Sequence, residues 1–304
     1  MDILCFGEPL YEFNQQPDGR YLAGYGGDAS NCAVAAARSG ASVGMFTHLG
    51  ADVFGDSFIE LWTREGVDCS TVRRDPEAHT GVYFITHGPD GHRFSYLRKG
   101  SAASRVKPED LPQETIRRTR ILHVSGISQA ISESAADAVF AAIALARDAG
   151  VKVSYDTNLR LKLWPLPRAR AVIHAAASSC DIALPSLDDA RLLVGLEEPE
   201  AIVDFYLGLG AGIVALTLGA DGALVATPER REHMPAFPAE AVDATGAGDT
   251  FDGAFLAEIA AGRDPFAAAR YANAAASLAT RGYGAVAPMP RRADVEALLE
   301  KAGG

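Results

Sequence analysis

The sequence predicts an α/β fold, a mostly parallel central sheet covered by helices on both faces, with a small second β-sheet attached as a lid. Three observations predict it. From about residue 110 onward, short apolar strands alternate with helical stretches, the pattern of a parallel sheet buried on both sides. The last of these strands, 213–217, stops at the turn Gly219-Ala-Asp-Gly222, and the apolar segment 223–226 then reads as an antiparallel return. In the first hundred residues, two hairpin-like segments at about 10–25 and 81–100 interrupt this rhythm. Each carries Pro-Asp-Gly (17–19 and 89–91), and the two are alike enough to pair into one sheet. Exposed strands inserted in an α/β domain suit a lid or a dimer contact. The 304 residues are read as one domain.

The elements follow in order. Ile3-Leu-Cys-Phe6 is a strand ending at Gly7. Gly26-Gly27-Asp28 opens an Ala-rich helix at about 30–39, stopped by Gly40. Residues 43–49 read as a second strand and 57–65 as a helix ended by Gly66. After the second hairpin come strands at 121–125, 151–155, 182–184 and 213–217, with helices at 135–149, 167–178 and 187–194 between them. Ligands of such sheets bind beyond the carboxyl ends of the strands, where the polar motifs of this chain fall.

Composition narrows the function. A net charge of −11 argues against nucleic acid and anionic membranes as partners, though not against nucleotides, which need only a local positive site. The four cysteines (Cys5, Cys32, Cys69, Cys180) form no CxxC pair and read as small apolar residues in a reducing compartment. Met1-Asp-Ile-Leu-Cys-Phe-Gly7 reads as a strand entering a turn rather than a signal peptide. No apolar run reaches the roughly 18 residues of a membrane span. A cytoplasmic enzyme or small-molecule binder is expected. His/Cys metal clusters, Ser–His–Asp spacing and a Walker P-loop are not found in the sequence.

The most informative stretch is Asp243-Ala-Thr-Gly-Ala-Gly-Asp249-Thr-Phe-Asp-Gly-Ala-Phe255. Glycines at 246 and 248 before an amphipathic helix aim backbone N–H groups and a helix N-terminus at one point, which makes an anion site. Asp249 would stand where the anion should. A general base explains it: the carboxylate takes a proton from a hydroxyl while the N–H groups hold the phosphoryl group that the hydroxyl attacks. The plainer reading is a helix cap.

This motif, with Gly26-Gly27-Asp28-Ala-Ser-Asn31 and Gly50-Ala-Asp52-Val-Phe-Gly55-Asp56 near the other end of the chain, resembles the ribokinase-like (PfkB) sugar kinases over nearly the full length. Within that family the chain is most similar to the 2-keto-3-deoxygluconate kinases, through Gly7-Glu-Pro-Leu10, Phe94-Ser-Tyr-Leu-Arg-Lys-Gly-Ser-Ala102, Leu122-His-Val-Ser-Gly-Ile127, Asp156-Thr-Asn-Leu-Arg160 and Leu163-Trp-Pro165. The resemblance implies a ribokinase-like fold, ATP and Mg²⁺, and phosphorylation of the sugar acid at O6. Asp249 would be the base, and the N–H groups of Gly246, Ala247 and Gly248 would stabilise the transferring phosphoryl group. It also implies dimers or higher assemblies through the lid.

The remaining candidates divide between sugar and nucleotide. Gly27 lets a polyol approach the backbone, and Asn31 can donate to and accept from sugar oxygens. Asp28 is an N-cap, a sugar ligand, or both. Tyr96 and Arg98, two apart, share a strand face that Tyr83 on the partner strand can join. Arg98 and Arg160 suit a carboxylate, which neutral sugars lack. The resemblance assigns Tyr83, Tyr96, Arg98 and Arg160 to substrate. The alternative for the arginines is a solvated strand face or surface salt bridges. Asn158 can orient substrate or water. Ser186-Leu-Asp-Asp189 stands where the family has Asn-x-x-Glu, so Asp189 is a candidate for water-mediated contact with Mg²⁺, and Ser186 for the phosphates. Thr217, Gly219 and Gly222 match the family's nucleotide-phosphate loop, without its basic residue, where Leu218 stands. Asn273 matches an adenine-side position, its alternative being a helix-surface residue, and Tyr283-Gly-Ala-Val-Ala-Pro288 is expected to close the nucleotide pocket. His87, His92 and Lys99 read as exposed. Two other functions stay open: a kinase of a neutral sugar or nucleoside, and a sugar or nucleotide sensor without catalysis.

Overall fold

Alternate residues of the first strand, Ile3–Phe6, go to opposite faces of a sheet. In the computed structural model Ile3 and Cys5 join one hydrophobic layer while Leu4 and Phe6 join the other. The same division recurs at Ile182 and Leu184 against Ala183, and at Ala215 against Val214 and Leu216. A sheet buried on both faces requires this apolar continuity. The structure describes residues 1–88 and 91–303, without the side chains of His87 and His92. The Pro89-Asp90 turn and the expected exposure of those two histidines lie outside what is described.

The main sheet has eight strands in the spatial order Arg231–Met234, Ala223–Ala226, Ile213–Thr217, Ile182–Leu184, Lys152–Asp156, Ile121–Ser125, Ile3–Phe6 and Val43–Phe46. All neighbours are parallel except the two pairs at the 223–234 end. One face is covered by the helices Asp28–Arg38, Val53–Glu65, Ala247–Ala260 and Pro265–Ala279. The other carries Glu133–Asp148, Leu166–Ala177, Leu187–Val194 and Pro199–Gly208. The expected fold class is the one observed. Boundaries moved by one to four residues at several ends. Residues 43–49 are not one strand: Val43–Phe46 stays in the main sheet, while His48–Gly50 turns away to pair with Arg73–Asp75. The helix Pro199–Gly208 and the strand Arg231–Met234 were not foreseen.

The two hairpins form a second sheet in the order Tyr21–Gly26, Leu10–Gln15, Gly81–Gly88, Gly91–Leu97. Its central pairing is parallel and aligns Glu12 with Tyr83. No helix among the described residues is long and apolar enough to cross a membrane. All four cysteines are free, and Cys5, Cys32 and Cys180 are buried.

Two helices lie unusually close. A Cβ at Gly253 in Ala247–Ala260 would stand 2.4 Å from the Cys32 carbonyl oxygen and 2.7 Å from Ala35 Cβ in Asp28–Arg38. Helix propensity alone would favour alanine at position 253 by about 1 kcal/mol. Here the new methyl meets backbone that cannot yield cheaply. Gly253→Ala is therefore expected to destabilise the protein by about 1–3 kcal/mol, the cost of overpacking, read as a lower denaturant midpoint at unchanged slope. A higher midpoint would show that the helices separate freely.

Candidate active site

The helix Ala247–Ala260 starts from Gly246, whose φ of 74° is left-handed and whose missing Cβ would meet Ala285 Cβ at 2.9 Å. Only glycine fits there. Asp243 closes the turn: Oδ1 accepts the Thr245 N–H at 2.9 Å and its hydroxyl at 2.6 Å, and Oδ2 accepts the Gly284 N–H at 2.9 Å. The N–H groups of Gly246, Gly248 and Asp249 have no acceptor among the described residues. Ala247 departs from expectation, because its N–H is donated to the Ala244 carbonyl at 3.1 Å to close the turn. The open donors are thus Gly246, Gly248 and Asp249.

The Asp249 side chain is buried beside Asn31, whose Nδ2 donates to Oδ2 at 2.7 Å. Burial pushes the Asp249 carboxyl up to about 7; the charge of Asp28 adds to the rise, while Asn31 and Arg160 oppose it. Asp28 is itself buried, with Oδ2 accepting the Ser125 hydroxyl and, at 3.2 Å, Asn158 Nδ2. Asp28 Oδ1 and Asn31 Oδ1 are buried without a hydrogen-bond partner among the described residues. Buried acceptors left open are costly unless a ligand supplies the donor, and hydroxyls of a polyol are suitable donors.

One reading of this region needs correction. Asp28 is not an N-cap: Gly27 holds that position at φ 93°, and Asp28 is the first helical residue. The protein itself requires glycine at 27, because a Cβ would stand 2.2 Å from the Glu8 carbonyl oxygen. Asn158 adopts φ 27°, a left-handed conformation in a non-glycine residue, with its N–H donated to Asp156 Oδ1 at 3.1 Å. Such strain costs about 1–3 kcal/mol and is kept where surrounding contacts fix it. Here it holds the Asn158 amide on Asp28.

The small sheet borders the same site. Gly24, Glu12, Tyr83 and Tyr96 lie in one row across its strands. The rings of Tyr83 and Tyr96 stack at 5.8 Å, and the Tyr83 hydroxyl donates to the buried Glu12. Arg98 follows the last strand, with Cζ 5.5 Å from the Tyr96 ring centroid. It lies on neither a solvated face nor a surface salt bridge. Its Nε and Nη2 donate to Glu8 Oε2, the Nε bond at 2.8 Å, and only 12% of the Arg98 side chain and none of the Glu8 side chain is exposed. Ser101 donates its hydroxyl to Glu8 Oε1 at 2.7 Å. Arg160 is half exposed; its Nη1 donates to the Leu159 carbonyl at 2.8 Å and lies 3.6 Å from Asp189 Oδ2. Lys99 is exposed.

The remaining candidates cluster at the ends of neighbouring strands. Ser186 and Thr217 form a parallel bridge, and Ser186 precedes the helix Leu187–Val194 without capping it through its side chain. Asp189 Oδ2 also accepts the Leu159 N–H at 3.0 Å, and burial raises its carboxyl, opposed by Arg160. Gly219 and Gly222 have φ of 62° and 95°, and a Cβ at Gly222 would stand 2.1 Å from the Met234 carbonyl oxygen. Asn273 is not a surface residue. It is buried, and its Nδ2 donates to the carbonyls of Met234 (2.8 Å) and Pro235 (3.2 Å), so its donors tie down the loop behind Gly222. Gly284–Ala287 border a cavity of about 200 Å³ shared with Glu12, Asn14, Tyr25 and Arg38, on the small-sheet side, while Tyr283 is exposed. The described residues contain no group of three or more His, Cys, Asp or Glu side chains placed to hold a metal ion.

Sequence reasoning did not single out Glu8, Ser101 or Ser125. Glu8 and Ser101 stand in the segments Gly7–Leu10 and Phe94–Ala102 quoted for the resemblance, but nothing in either segment signals that they meet 93 residues apart.

A buried acid beside open N–H donors is an arrangement suited to phosphoryl transfer onto a hydroxyl, the chemistry of a kinase. The model of the pfkB family of carbohydrate kinases matches residues 2–292, and the chain belongs to that family. It is 35% identical to the 2-dehydro-3-deoxygluconokinase of Thermoproteus tenax over 307 residues, covering 97% of this chain and 93% of the relative. It is 32% identical to fructokinase-1 of Zea mays over 319 residues, covering 99% and 98%. The structure of a Vibrio cholerae fructokinase with fructose, ADP and calcium superposes with a TM-score of 0.90 at 30% identity, covering 98% of both chains.

A base held near 7 is protonated and inactive below that pH. The acid limb of kcat/KM is expected at about 7. Asp28→Asn removes the charge that helps raise Asp249, so the limb should move to lower pH, as pH–rate profiles of the two proteins would show. An unmoved limb would mean that the charge of Asp28 does not reach Asp249.

Proposed function

We propose that the protein transfers the γ-phosphoryl group of ATP to O6 of 2-keto-3-deoxy-D-gluconate. The observation that carries this reading is the pair of arginines, Arg98 and Arg160, which stand among the acids of the site, Arg98 on Glu8 and Arg160 beside Asp189 and near enough to Asp249 to act on its charge. A neutral sugar offers them no charge to meet, whereas a sugar acid brings a carboxylate that guanidinium groups hold well. The similarity to the Thermoproteus tenax 2-dehydro-3-deoxygluconokinase supports the same substrate under its other name.

In this reading Asp28 Oδ1 and Asn31 Oδ1 accept sugar hydroxyls, and Gly27 starts the helix that presents them. Asn158 holds Asp28 in place. Tyr83 and Tyr96 pack against the sugar, and Arg98 with Arg160 take its carboxylate. Asp249, steadied by Asn31, accepts the proton of the attacking hydroxyl. The N–H groups of Gly246, Gly248 and Asp249 face the phosphoryl oxygens as charge builds on them. Ser186, Thr217, Gly219 and Gly222 cradle the nucleotide phosphates through backbone and hydroxyl donors, with Asn273 fixing the loop behind them. The described residues hold no three-ligand acidic cluster, so Mg²⁺ would be held by the nucleotide phosphates with Asp189 contributing through water, and it would supply neutralisation of phosphate charge. The small sheet acts as a lid that excludes water and limits ATP hydrolysis. The enzyme works in the cytoplasm as a dimer or larger assembly.

A neutral-sugar kinase is the second reading. The fructokinase-1 similarity, at 32%, is comparable, and Glu8 already balances the charge of Arg98.

Two measurements test the proposal. Asp249→Asn should still bind ATP but lose about 10²–10⁴-fold in kcat, the usual worth of a general base; turnover within a few-fold of wild type would remove Asp249 from that role. ADP formation with Mg·ATP should be much faster with 2-keto-3-deoxygluconate than with fructose or ribose, and Arg98→Ala should raise KM for the acid about tenfold or more, in line with loss of a charged hydrogen bond. Faster turnover of fructose, unaffected by Arg98→Ala, would select the second reading.

A further inference from the structure

We propose that Glu8 is a positioning residue that makes Arg98 a reader of the substrate carboxylate. The inference rests on the sugar-acid reading given above. A glutamate whose side chain is fully excluded from solvent is costly unless its charge is used. Both of its carboxylate oxygens are engaged: Oε1 by the Ser101 hydroxyl, Oε2 by Nε and Nη2 of Arg98. Burial pushes its carboxyl up, and Arg98 and Ser101 pull against that rise. Every partner is a donor, so the group serves as an acceptor.

The geometry of the pair gives the function its direction. Glu8 takes one edge of the guanidinium, the side running through Nε. Nη1 has no protein partner among the described residues. A guanidinium fixed along one edge keeps its remaining donors in a plane set by the protein, and little further ordering is needed when a carboxylate arrives. The stacked Tyr96 ring lies beside it and limits the rotamers Arg98 can take. Without Glu8 the guanidinium is a long, mobile side chain at the exit of an edge strand.

Glu8 also links this reader to the rest of the site. It follows the first strand of the main sheet, and its carbonyl oxygen is the atom against which Gly27 packs. The helix that starts there carries Asn31, which holds Asp249. One residue therefore sets the start of the sugar-binding helix through its backbone and the arginine of the small sheet through its side chain. Substrate charge and attacking hydroxyl are aligned through the same short segment.

The test is steady-state kinetics of Glu8→Gln, Arg98→Ala and the double variant, with 2-keto-3-deoxygluconate and fructose as acceptors. Positioning predicts that Glu8→Gln raises KM for the sugar acid about tenfold with kcat within about twofold. KM for ATP should not move, and the effect should vanish when Arg98 is already alanine. An unchanged KM for the acid overturns the inference, as does an effect that persists without Arg98. A lowered KM also overturns it, because Glu8 would then compete with the substrate for Arg98. If Glu8→Gln does not fold, Ser101→Ala, which loosens the same carboxylate from its other side while Arg98 still holds it, should raise KM for the acid about two- to fivefold, again only when Arg98 is present. A wild-type enzyme with no preference for the acid would defeat the substrate reading. A wild-type preference lost in Arg98→Ala but untouched in Glu8→Gln would defeat only the role of Glu8.

Discussion

The close approach of two helices governs the rest of the site. Asp28–Arg38 carries Asp28 and Asn31, and Ala247–Ala260 carries Asp249. Their contact is built from alanines, Cys32 and Gly253, and the absent Cβ of Gly253 lets one backbone rest on the other. A separation greater by about an ångström would break the 2.7 Å bond between Asn31 and Asp249. That bond orients the acid, and in the proposed mechanism it ties the side chains that bind the hydroxyls to the group that receives the proton. The small residues that make these helices read as plain Ala-rich stretches are what allow the chemistry to be positioned.

Charge is the second constraint. Asp28, Asp156, Asp249 and Asp252 are near enough to act on one another, and burial with mutual repulsion raises Asp156 and Asp252 well above the ordinary carboxyl range. A site this acidic would repel a phosphoryl donor if all four were ionised. The upward shift of Asp156 and Asp252 works against their ionisation and so against that repulsion. Together with Arg160, the open N–H groups at the start of Ala247–Ala260 provide a local positive field within a chain of net charge −11.

The small sheet contributes a different kind of order. The main sheet is held by two continuous apolar layers, whereas the second sheet joins the site largely through polar and aromatic contacts: Glu8 with Arg98, Glu12 with Tyr83, Tyr83 with Tyr96. Such contacts are directional and individually modest, which suits the lid role proposed for this sheet.

The sequence alone determined the α/β class, the strands of the main sheet from 121 to 217, the glycine-bounded turns and the position of Asp249. These follow from local rules: strand alternation, left-handed glycines, and N–H groups left open at a helix start. Tertiary structure decided what each side chain meets. Glu8 and Arg98 are 90 residues apart, and no periodicity joins them. Gly27 was legible as an obligatory glycine, but the atom that demands it, the Glu8 carbonyl oxygen, was not. Asn273 read as a surface or nucleotide residue until the fold laid the 234–235 backbone across its amide. Ala247 lost its donor to a turn that closes only in three dimensions. Local geometry is written along the chain; partners across the sheet are set by packing, which brings distant residues together by shape and burial.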